Sequence, residues 1–248
     1  MSSLDPILIV LLYASLAALA AALGVVPHAV AGRLPLPVLG WSNALASGLM
    51  LGVAYSLFAV EFSAGLFGGA AGALLGVLFV RLVHAGTGTT DLDLNQLDEL
   101  DPAYGYQVVL VNTLHSAYEG VAIGVAMLVS LSFGISMAAA LAIHNIPEAM
   151  ILTAIVAGRG VSLSHAAALA VATNVSQVLL AIVTFAVVGA LPVLLPWVVG
   201  FAVGALIYLT LAELLPESYR EAGHTSIALV TLIAMGIVVA LGGGAPIQ

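Results

Sequence analysis

Residues 141–156 read LAIHNIPEAMILTAIV, a stretch that places a histidine and a glutamate inside an apolar run. The run covers roughly residues 134–158, and as an α-helix it is long enough to cross the hydrocarbon core of a bilayer, which is about 30 Å thick. An ionisable side chain at the centre of such a helix is costly unless it is paired. His144 and Glu148 are therefore candidates for a functional site inside a membrane.

The composition of the whole chain agrees with a membrane protein. Of its 248 residues, 62% are hydrophobic and 6% are charged, whereas a soluble domain carries about 25% charged residues. Such a chain cannot cover a water-exposed surface, which excludes a soluble enzyme and a disordered chain. Four basic residues are too few for a nucleic-acid interface. The absence of cysteine excludes disulfide bonds and thiolate metal ligands.

A length of about 20 apolar residues per membrane crossing divides the chain into eight candidate spans. The segments are too long and too rich in Leu, Ala and Val for β-barrel strands. We therefore predict an all-α, polytopic membrane protein with one transmembrane domain over residues 1–248. No basic residue precedes the first span, which favours a retained helix over a signal peptide. The predicted spans 1 to 8 are roughly residues 6–32, 39–61, 65–84, 105–129, 134–158, 162–190, 196–219 and 225–243.

The four arginines predict the orientation of these spans. Arg33, Arg81, Arg159 and Arg220 follow spans 1, 3, 5 and 7, so all of them lie on one face. Basic loops favour the cytoplasmic side, and we expect a cell (inner) membrane protein with both termini outside the cytoplasm. The acidic segment 85–104 is then a cytoplasmic loop. A solvated linker is the favoured interpretation of its charges, and attraction of cations is the alternative.

Span 4 repeats the polar pattern of span 5. Residues 112–127 read NTLHSAYEGVAIGVAM, so His115 precedes Glu119 by four positions, as His144 precedes Glu148. This spacing puts each His and its Glu on one helix face. Imidazole nitrogen and carboxylate oxygen together suit zinc, iron or manganese. Two antiparallel spans would join the four ligands at the bilayer midplane. Two hydrogen-bonded His–Glu pairs that only hold the bundle together are the less favoured alternative.

Neutral polar residues near these pairs could extend the site. Ser116 and Asn145 each follow a histidine, and Asn174 and Gln177 lie in span 6. Metal ligation and ordinary helix–helix hydrogen bonding are about equally compatible with these four residues.

Pro147 distinguishes span 5 from span 4. Proline cannot donate the helical hydrogen bond to the carbonyl of Ile143. We therefore expect a kink and a free carbonyl beside His144. Irregular backbone at this depth is typical of helices that line a transport cavity.

A weak internal repeat relates span 2 to span 7. Gly48 and Gly204 each lie 13 positions before a glutamate, at Glu61 and Glu217. The two spans cross the predicted membrane in opposite directions, as in the inverted repeats of carriers. This predicts a 3+2+3 arrangement, in which spans 1–3 mirror spans 6–8 around the central pair. Glu213, inside span 7, is either a gate or accessory site or a carboxylate hydrogen-bonded near a helix end.

The remaining histidines fall near the predicted cytoplasmic face. Solvated or interfacial rings are the favoured interpretation, and a weak exit relay for metal is the alternative. They are His28, His84, His165 and His224.

At HNIPEA, residues 144–149, the sequence resembles the Zrt/Irt-like (ZIP) family of divalent-metal transporters, and the span order resembles that family over nearly the whole chain. The resemblance implies eight helices in a 3+2+3 arrangement and alternating access. It implies a primary metal site on the two His–Glu pairs. An adjacent second site would use Ser116, Asn145, the same two glutamates and Gln177. Ser116, Tyr118, Ala149 and Gln177 depart from the family pattern, which favours one metal over two.

Together these features predict a transporter that moves a divalent metal into the cytoplasm, with Zn²⁺ (or Fe²⁺, Mn²⁺, Cd²⁺) as substrate and no prosthetic group. The expected partners are this ion and the lipid bilayer, without nucleic acid, and a homodimer is compatible with the sequence. The alternative function is an intramembrane zinc-dependent hydrolase that uses the same cluster to activate water. An inverted repeat favours the transporter, because an enzyme does not need one. A purely structural membrane subunit is disfavoured by the two buried His–Glu pairs.

Overall fold

The computed structural model describes residues 5–61, 66–87 and 102–242. Within these ranges the secondary structure is helical, without strands. The α-helices are Pro6–Ala20 (α1), Val26–Ala31 (α2), Leu36–Glu61 (α3), Leu66–Thr87 (α4), Pro102–Val129 (α5), Leu131–Gly158 (α6), Leu163–Thr173 (α7), Val175–Ala190 (α8), Leu195–Leu209 (α9), Leu215–Ala222 (α10) and His224–Gly242 (α11).

These helices form eight membrane-length segments in the described part of the chain, which confirms the predicted number of spans. Span 1 joins α1 and α2 through a 3₁₀ turn, span 6 joins α7 and α8, and span 7 joins α9 and α10. Each of the other spans is one helix. The ends of the predicted loop 85–104 belong to α4 and α5, and its five acidic residues lie outside the described ranges.

The central spans 4 and 5 are the most completely buried, while spans 3 and 8 expose most of their surface. The most extensive contacts join span 3 to span 7, span 4 to span 6, span 2 to span 7, span 5 to span 1 and span 8 to span 2. Exchanging spans 1–3 with 6–8, and span 4 with span 5, converts four of these pairs into one another and leaves the pair of spans 2 and 7 unchanged. The packing agrees with an inverted repeat, and the 3+2+3 arrangement stays a prediction.

Spans 3 and 7 approach each other closely because small residues line their contact. A Cβ atom on Gly200 would lie 2.1 Å from the carbonyl oxygen of Gly69, and one on Gly204 would lie 2.1 Å from that of Ala73. In a membrane, where lipid tails are as apolar as leucine, such close backbone packing drives helix association. Glycine is therefore required at these two positions of span 7.

The helix type changes within spans 1, 6 and 7, but not at Pro147. Helix α6 continues through Pro147 without interruption, although the Pro147 carbonyl accepts a hydrogen bond of 3.3 Å from the Ser42 hydroxyl. Span 6 changes helix at Asn174, and span 7 contains a π-helical turn over Thr210–Leu214. Such turns are frequent at functional sites, and this one contains Glu213.

We expect Gly204→Ala to destabilise the protein, because its new methyl group would overlap the Ala73 carbonyl in a contact between two backbones. Overpacking of this kind costs about 1–3 kcal/mol. The thermal unfolding midpoint of the detergent-purified protein should fall by several degrees. Gly236→Ala is the matched control, because a Cβ atom there has open space around it. Equal midpoints for the two variants would contradict the close approach of spans 3 and 7.

Candidate metal site

Three buried side chains from the two central spans meet at one point. His144 Nε2 lies 2.9 Å from Glu119 Oε1 and 3.7 Å from Glu148 Oε2. One ligand atom from each residue lies within 4.8 Å of the others. Glu119 is fully buried, and His144 and Glu148 are 1% and 9% exposed. We call this set the Glu119–His144–Glu148 group.

A backbone carbonyl fixes the orientation of the His144 ring. Nδ1 lies 2.9 Å from the carbonyl oxygen of Ala46 in span 2. A carbonyl can only accept a hydrogen bond, so Nδ1 carries the proton and donates it. This leaves Nε2, which faces the two glutamates, as the nitrogen available to a metal. Hydrogen bonds from the second ring nitrogen orient metal-binding histidines in the same way.

His115 takes part in a second group rather than pairing with Glu119. Its Nε2 lies 3.1 Å from Glu213 Oε2, and His84 Nδ1 lies 3.1 Å from Glu213 Oε1. The two imidazole rings stack with their centroids 6.1 Å apart. The ligand atoms of His84, His115 and Glu213 also lie within 4.8 Å of one another.

The two groups are neighbours. His115 Nδ1 is 3.8 Å from Glu148 Oε1, so the imidazole reaches from Glu148 on one side to Glu213 on the other. The structure therefore brings together the four predicted ligands, and it pairs them across helices as well as within α6, where His144 contacts Glu148. Glu119 of span 4 contacts His144 of span 5, and Glu148 of span 5 contacts His115 of span 4.

Two of the predicted neutral donors support the carboxylates. Gln177 Nε2 donates a hydrogen bond of 3.2 Å to Glu119 Oε2. Asn145 Nδ2 donates to Gln177 Oε1 at 3.0 Å and to the Ala17 carbonyl at 2.9 Å. These bonds place Gln177 behind Glu119 and connect spans 1, 4, 5 and 6.

The other two neutral residues connect helices. The Ser116 hydroxyl lies 2.9 Å from the carbonyl oxygen of Asn112 and 3.2 Å from Asn174 Oδ1. Asn174 in turn donates a hydrogen bond to the Ala170 carbonyl at 2.9 Å. In this arrangement both residues make helix–helix and cap contacts rather than facing the three-residue group.

The geometry of the Glu119–His144–Glu148 group is close to that of a zinc site. A tetrahedral zinc ion with bonds of about 2.1 Å keeps its ligand atoms about 3.4 Å apart. The 3.7 Å between His144 and Glu148 is near this value, and the 2.9 Å between His144 and Glu119 has to open by about 0.5 Å. A divalent ion would also neutralise two carboxylates that are otherwise costly to bury.

A narrow cavity of about 20 Å³ extends from this region toward the arginine-bearing face. It is bordered by Glu148, His115, Glu213, Asn43 and Glu217, among others. Glu217 is 2% exposed, and its Oε2 lies 2.8 Å from Nη1 of Arg220. Carboxylates thus follow one another from the bilayer centre to this face.

Two of the remaining histidines differ from the favoured solvated interpretation. His28 and His84 are only 7% and 6% exposed, whereas His165 and His224 are exposed. Residue spacing carries no signal for the contact between His84 and Glu213, since it joins spans 3 and 7. The one hint in the sequence was that this histidine stands at the end of an apolar run.

Comparison with known proteins gives a consistent result. Residues 84–243 match the family model described as "ZIP Zinc transporter". The chain is 32% identical over 209 residues to an Arabidopsis thaliana protein named "Putative zinc transporter At3g08650", covering 82% of this chain and 33% of that protein. It is 31% identical over 185 residues to "Zinc transporter GufA" of Myxococcus xanthus, covering 69% and 68%. The chain thus spans about a third of the length of the plant relative.

We expect substitution of a direct ligand and substitution of a residue that supports it to differ in their effect on zinc affinity. Glu119→Gln removes a ligand charge and should weaken binding by more than about 100-fold, while Gln177→Met, which removes only a supporting hydrogen bond, should weaken it by about tenfold. Isothermal titration calorimetry of the purified protein measures both. His165→Ala, at an exposed position, is the control. Parent-like affinity in Glu119→Gln would exclude Glu119 as a ligand.

Proposed function

The chain belongs to the ZIP zinc transporter family, and on this basis we propose that it carries a divalent metal ion, zinc foremost, across the cell membrane into the cytoplasm. The observation that carries the proposal is the buried Glu119–His144–Glu148 group at the centre of the two central spans. An ion bound there lies near the bilayer midplane, as substrate sites of carriers do. The family is one of transporters, which leaves the hydrolase alternative without support.

The donor set favours zinc within a wider range of ions. One imidazole nitrogen and carboxylate oxygens also suit Fe²⁺ and Mn²⁺, and Cd²⁺ is close to zinc in its chemistry. The lack of cysteine removes the thiolates that would hold zinc most tightly. A carrier has to release its ion, and a site with few ligands and no thiolate allows release.

His115 is the fourth ligand in this proposal. Its Nδ1 is already 3.8 Å from Glu148 Oε1, so a small shift of the ring would bring it to an ion held by Glu148. Gln177 and Asn145 act behind the ligands through the hydrogen bonds that they make with Glu119 and with each other. With Gln177 neutral, a second ion beside the first would lack a carboxylate there, which favours a single-metal site. Ser116 takes part only after breaking its bond to Asn174.

We further propose that Glu213 is an accessory site on the way to the cytoplasm. It holds His84 and His115 together and lies along the cavity that leads toward the arginine-bearing face. The His115 ring contacts both Glu148 and Glu213. It could therefore bind the ion first beside Glu148 and then beside Glu213 while its helix stays in place. Alternating access would open this route and the opposite route in turn, and the positive-inside rule identifies the arginine-bearing face as the cytoplasmic one.

Metal binding should displace a proton from the central group. The 2.9 Å contact between His144 Nε2 and Glu119 Oε1 brings together two lone pairs that repel each other unless one of the two atoms carries a proton, and we infer that one does. A cation that binds both atoms takes its place.

The transport proposal can be tested in proteoliposomes that contain a zinc-sensitive dye. We expect the parent to load zinc and the double variant Glu119→Ala/His144→Ala to lose uptake, because two of the ligands are gone. His165→Ala should transport like the parent. Uptake that survives in the double variant would exclude the central group as the transport site. A parent that passes no zinc, iron, manganese or cadmium would refute the transporter assignment.

Proton displacement gives an independent measurement. Addition of zinc to the purified parent in weak buffer with a pH indicator should release about one proton per bound ion. His144→Ala, which removes the proton-sharing contact, should release clearly less per ion bound. Stoichiometric binding without any proton release would contradict the shared proton.

A further inference from the structure

Beyond Glu213, the narrow cavity is bordered by polar side chains that belong to neither three-residue group. Asn43 of span 2 and Glu217 of span 7 line it, and they are 4% and 2% exposed. Span 2 begins and span 7 ends at the arginine-bearing face. Asn43 follows the start of α3 by about two turns, and Glu217 lies in α10, the last helix of span 7. The two residues therefore lie between Glu213 and that face.

A backbone carbonyl of span 7 fixes the orientation of the Asn43 amide. Its Nδ2 donates a hydrogen bond of 2.8 Å to the carbonyl oxygen of Leu214. A carbonyl can only accept, so the amide nitrogen lies at this contact and the amide oxygen is left for another partner. Within the described chain Oδ1 accepts no hydrogen bond, yet it is not fully enclosed, so it borders the cavity. Leu214 precedes Glu217 by about one helical turn, which attaches Asn43 to the turn that carries Glu217.

The size of the cavity requires an ion to lose water before it can pass in this conformation. One water molecule needs about 10–15 Å³ of such space, so a cavity of about 20 Å³ has room for a single particle of that size. A divalent ion with a full hydration shell does not fit. The lining therefore has to supply the oxygen atoms that the ion gives up. The amide oxygen of Asn43 and the carboxylate of Glu217 are ligands that divalent metals accept.

The Glu217 carboxylate has a counterion that reaches it from the water side. Arg220 Nη1 lies 2.8 Å from Glu217 Oε2, and the side chains of Arg220 and Glu217 are 53% and 3% exposed. Because the guanidinium is half exposed, it can leave Glu217 for water at little cost. The carboxylate stays buried, where only another cation can compensate its charge. An ion in the cavity and the guanidinium therefore compete for the same carboxylate.

We propose that Asn43 and Glu217 form an exit site for the transported cation, and that Arg220 is a positioning residue that competes with the ion for Glu217 and so speeds its release. The proposal rests on the proposed transport function. An ion that arrives from Glu213 would bind the Asn43 oxygen and the Glu217 carboxylate, while the guanidinium moves into water. Return of the guanidinium to Glu217 would leave the ion with one neutral ligand, which is too few to hold it.

The kinetics of zinc uptake by proteoliposomes test the role of Arg220. Arg220→Gln leaves Glu217 without its competitor, so the ion should stay longer at the exit site. We expect the maximal rate and the KM for zinc both to fall by about threefold, an effect within the range of partly exposed ion pairs. Arg220→Lys, which keeps the charge, should restore most of the rate. Arg81→Gln removes the same charge from an exposed position on span 3 and should transport like the parent.

Zinc binding to the purified protein tests the exit site without transport. In the Glu119→Ala/His144→Ala background, which lacks two ligands of the central group, Arg220→Gln should raise the remaining zinc affinity by about threefold in isothermal titration calorimetry. Adding Glu217→Gln or Asn43→Ala should cancel this gain, because each removes a ligand of the exit site. A parent that transports no zinc would refute the proposed function, whereas this binding measurement would still decide the exit site.

Three results would overturn the proposal. A maximal rate that falls in Arg220→Gln at an unchanged KM would indicate a structural defect and not a retained ion. Equal changes in Arg220→Gln and Arg81→Gln would show that the net charge of the face sets the rate. An affinity that does not rise in Arg220→Gln, or a rise that persists with Glu217→Gln and with Asn43→Ala, would show that the ion does not bind at these residues.

Discussion

The burial of carboxylates within the bilayer is the constraint on which the rest of this structure depends. Glu119, Glu148 and Glu213 lie inside transmembrane helices, and each contacts at least one histidine. No lysine is available at this depth, since the chain has none, and its four arginines lie in or beyond the last two turns of spans 1, 3, 5 and 7. The histidines can share protons with the carboxylates, or both can bind a cation. Either solution requires several helices to converge on one point.

The close packing of the peripheral spans permits this convergence. Glycine lets spans 3 and 7 approach until their backbones touch, which brings His84 of span 3 within 3.1 Å of Glu213 in span 7. The π-helical turn over Thr210–Leu214 follows the glycine contacts along span 7 and contains Glu213. Its extra residue per turn re-aims the side chains that follow. The site is therefore produced by helix packing as much as by ligand residues.

The sequence predicted the eight spans, and its candidate ligands in spans 4 and 5 lie close together, because both features depend on local patterns. An apolar run of fixed length identifies a span, and an ionisable residue within it identifies a polar centre. Which His meets which Glu could not be predicted in this way. The i, i+4 spacing shows that His115 and Glu119 share a helix face, but a side chain on that face can also contact the neighbouring helix. His115 uses the second option, whereas His144 uses both, because it contacts Glu148 of its own helix at 3.7 Å and Glu119 of span 4 at 2.9 Å.

The same limit explains His84, Pro147 and the neutral donors. His84 acquires its role only through a helix that follows it by more than a hundred residues, so no local pattern contains it. Pro147 was expected to kink its helix; α6 continues through it as one helix, and the changes of helix type lie in spans 1, 6 and 7. For Gln177 the sequence left metal ligation and helix–helix hydrogen bonding equally open, and in the structure its amide donates to Glu119 and accepts from Asn145. Because a side-chain amide can bind a metal through its oxygen or donate a hydrogen bond through its nitrogen, the residue type alone did not distinguish a metal ligand from a residue that supports one.

The cross-helix pairing has a consequence for how an ion could move. An ion at the Glu119–His144–Glu148 group is held by both central spans, so they have to move together while it is bound. His115 contacts Glu148 within this pair and Glu213 outside it. If the pair moved against span 7, the contact between His115 and Glu213 would break, and its return would bring His115 back beside the cavity bordered by Glu148 and Glu213. One imidazole would thus connect occupancy of the central group to the position of the central helices relative to span 7.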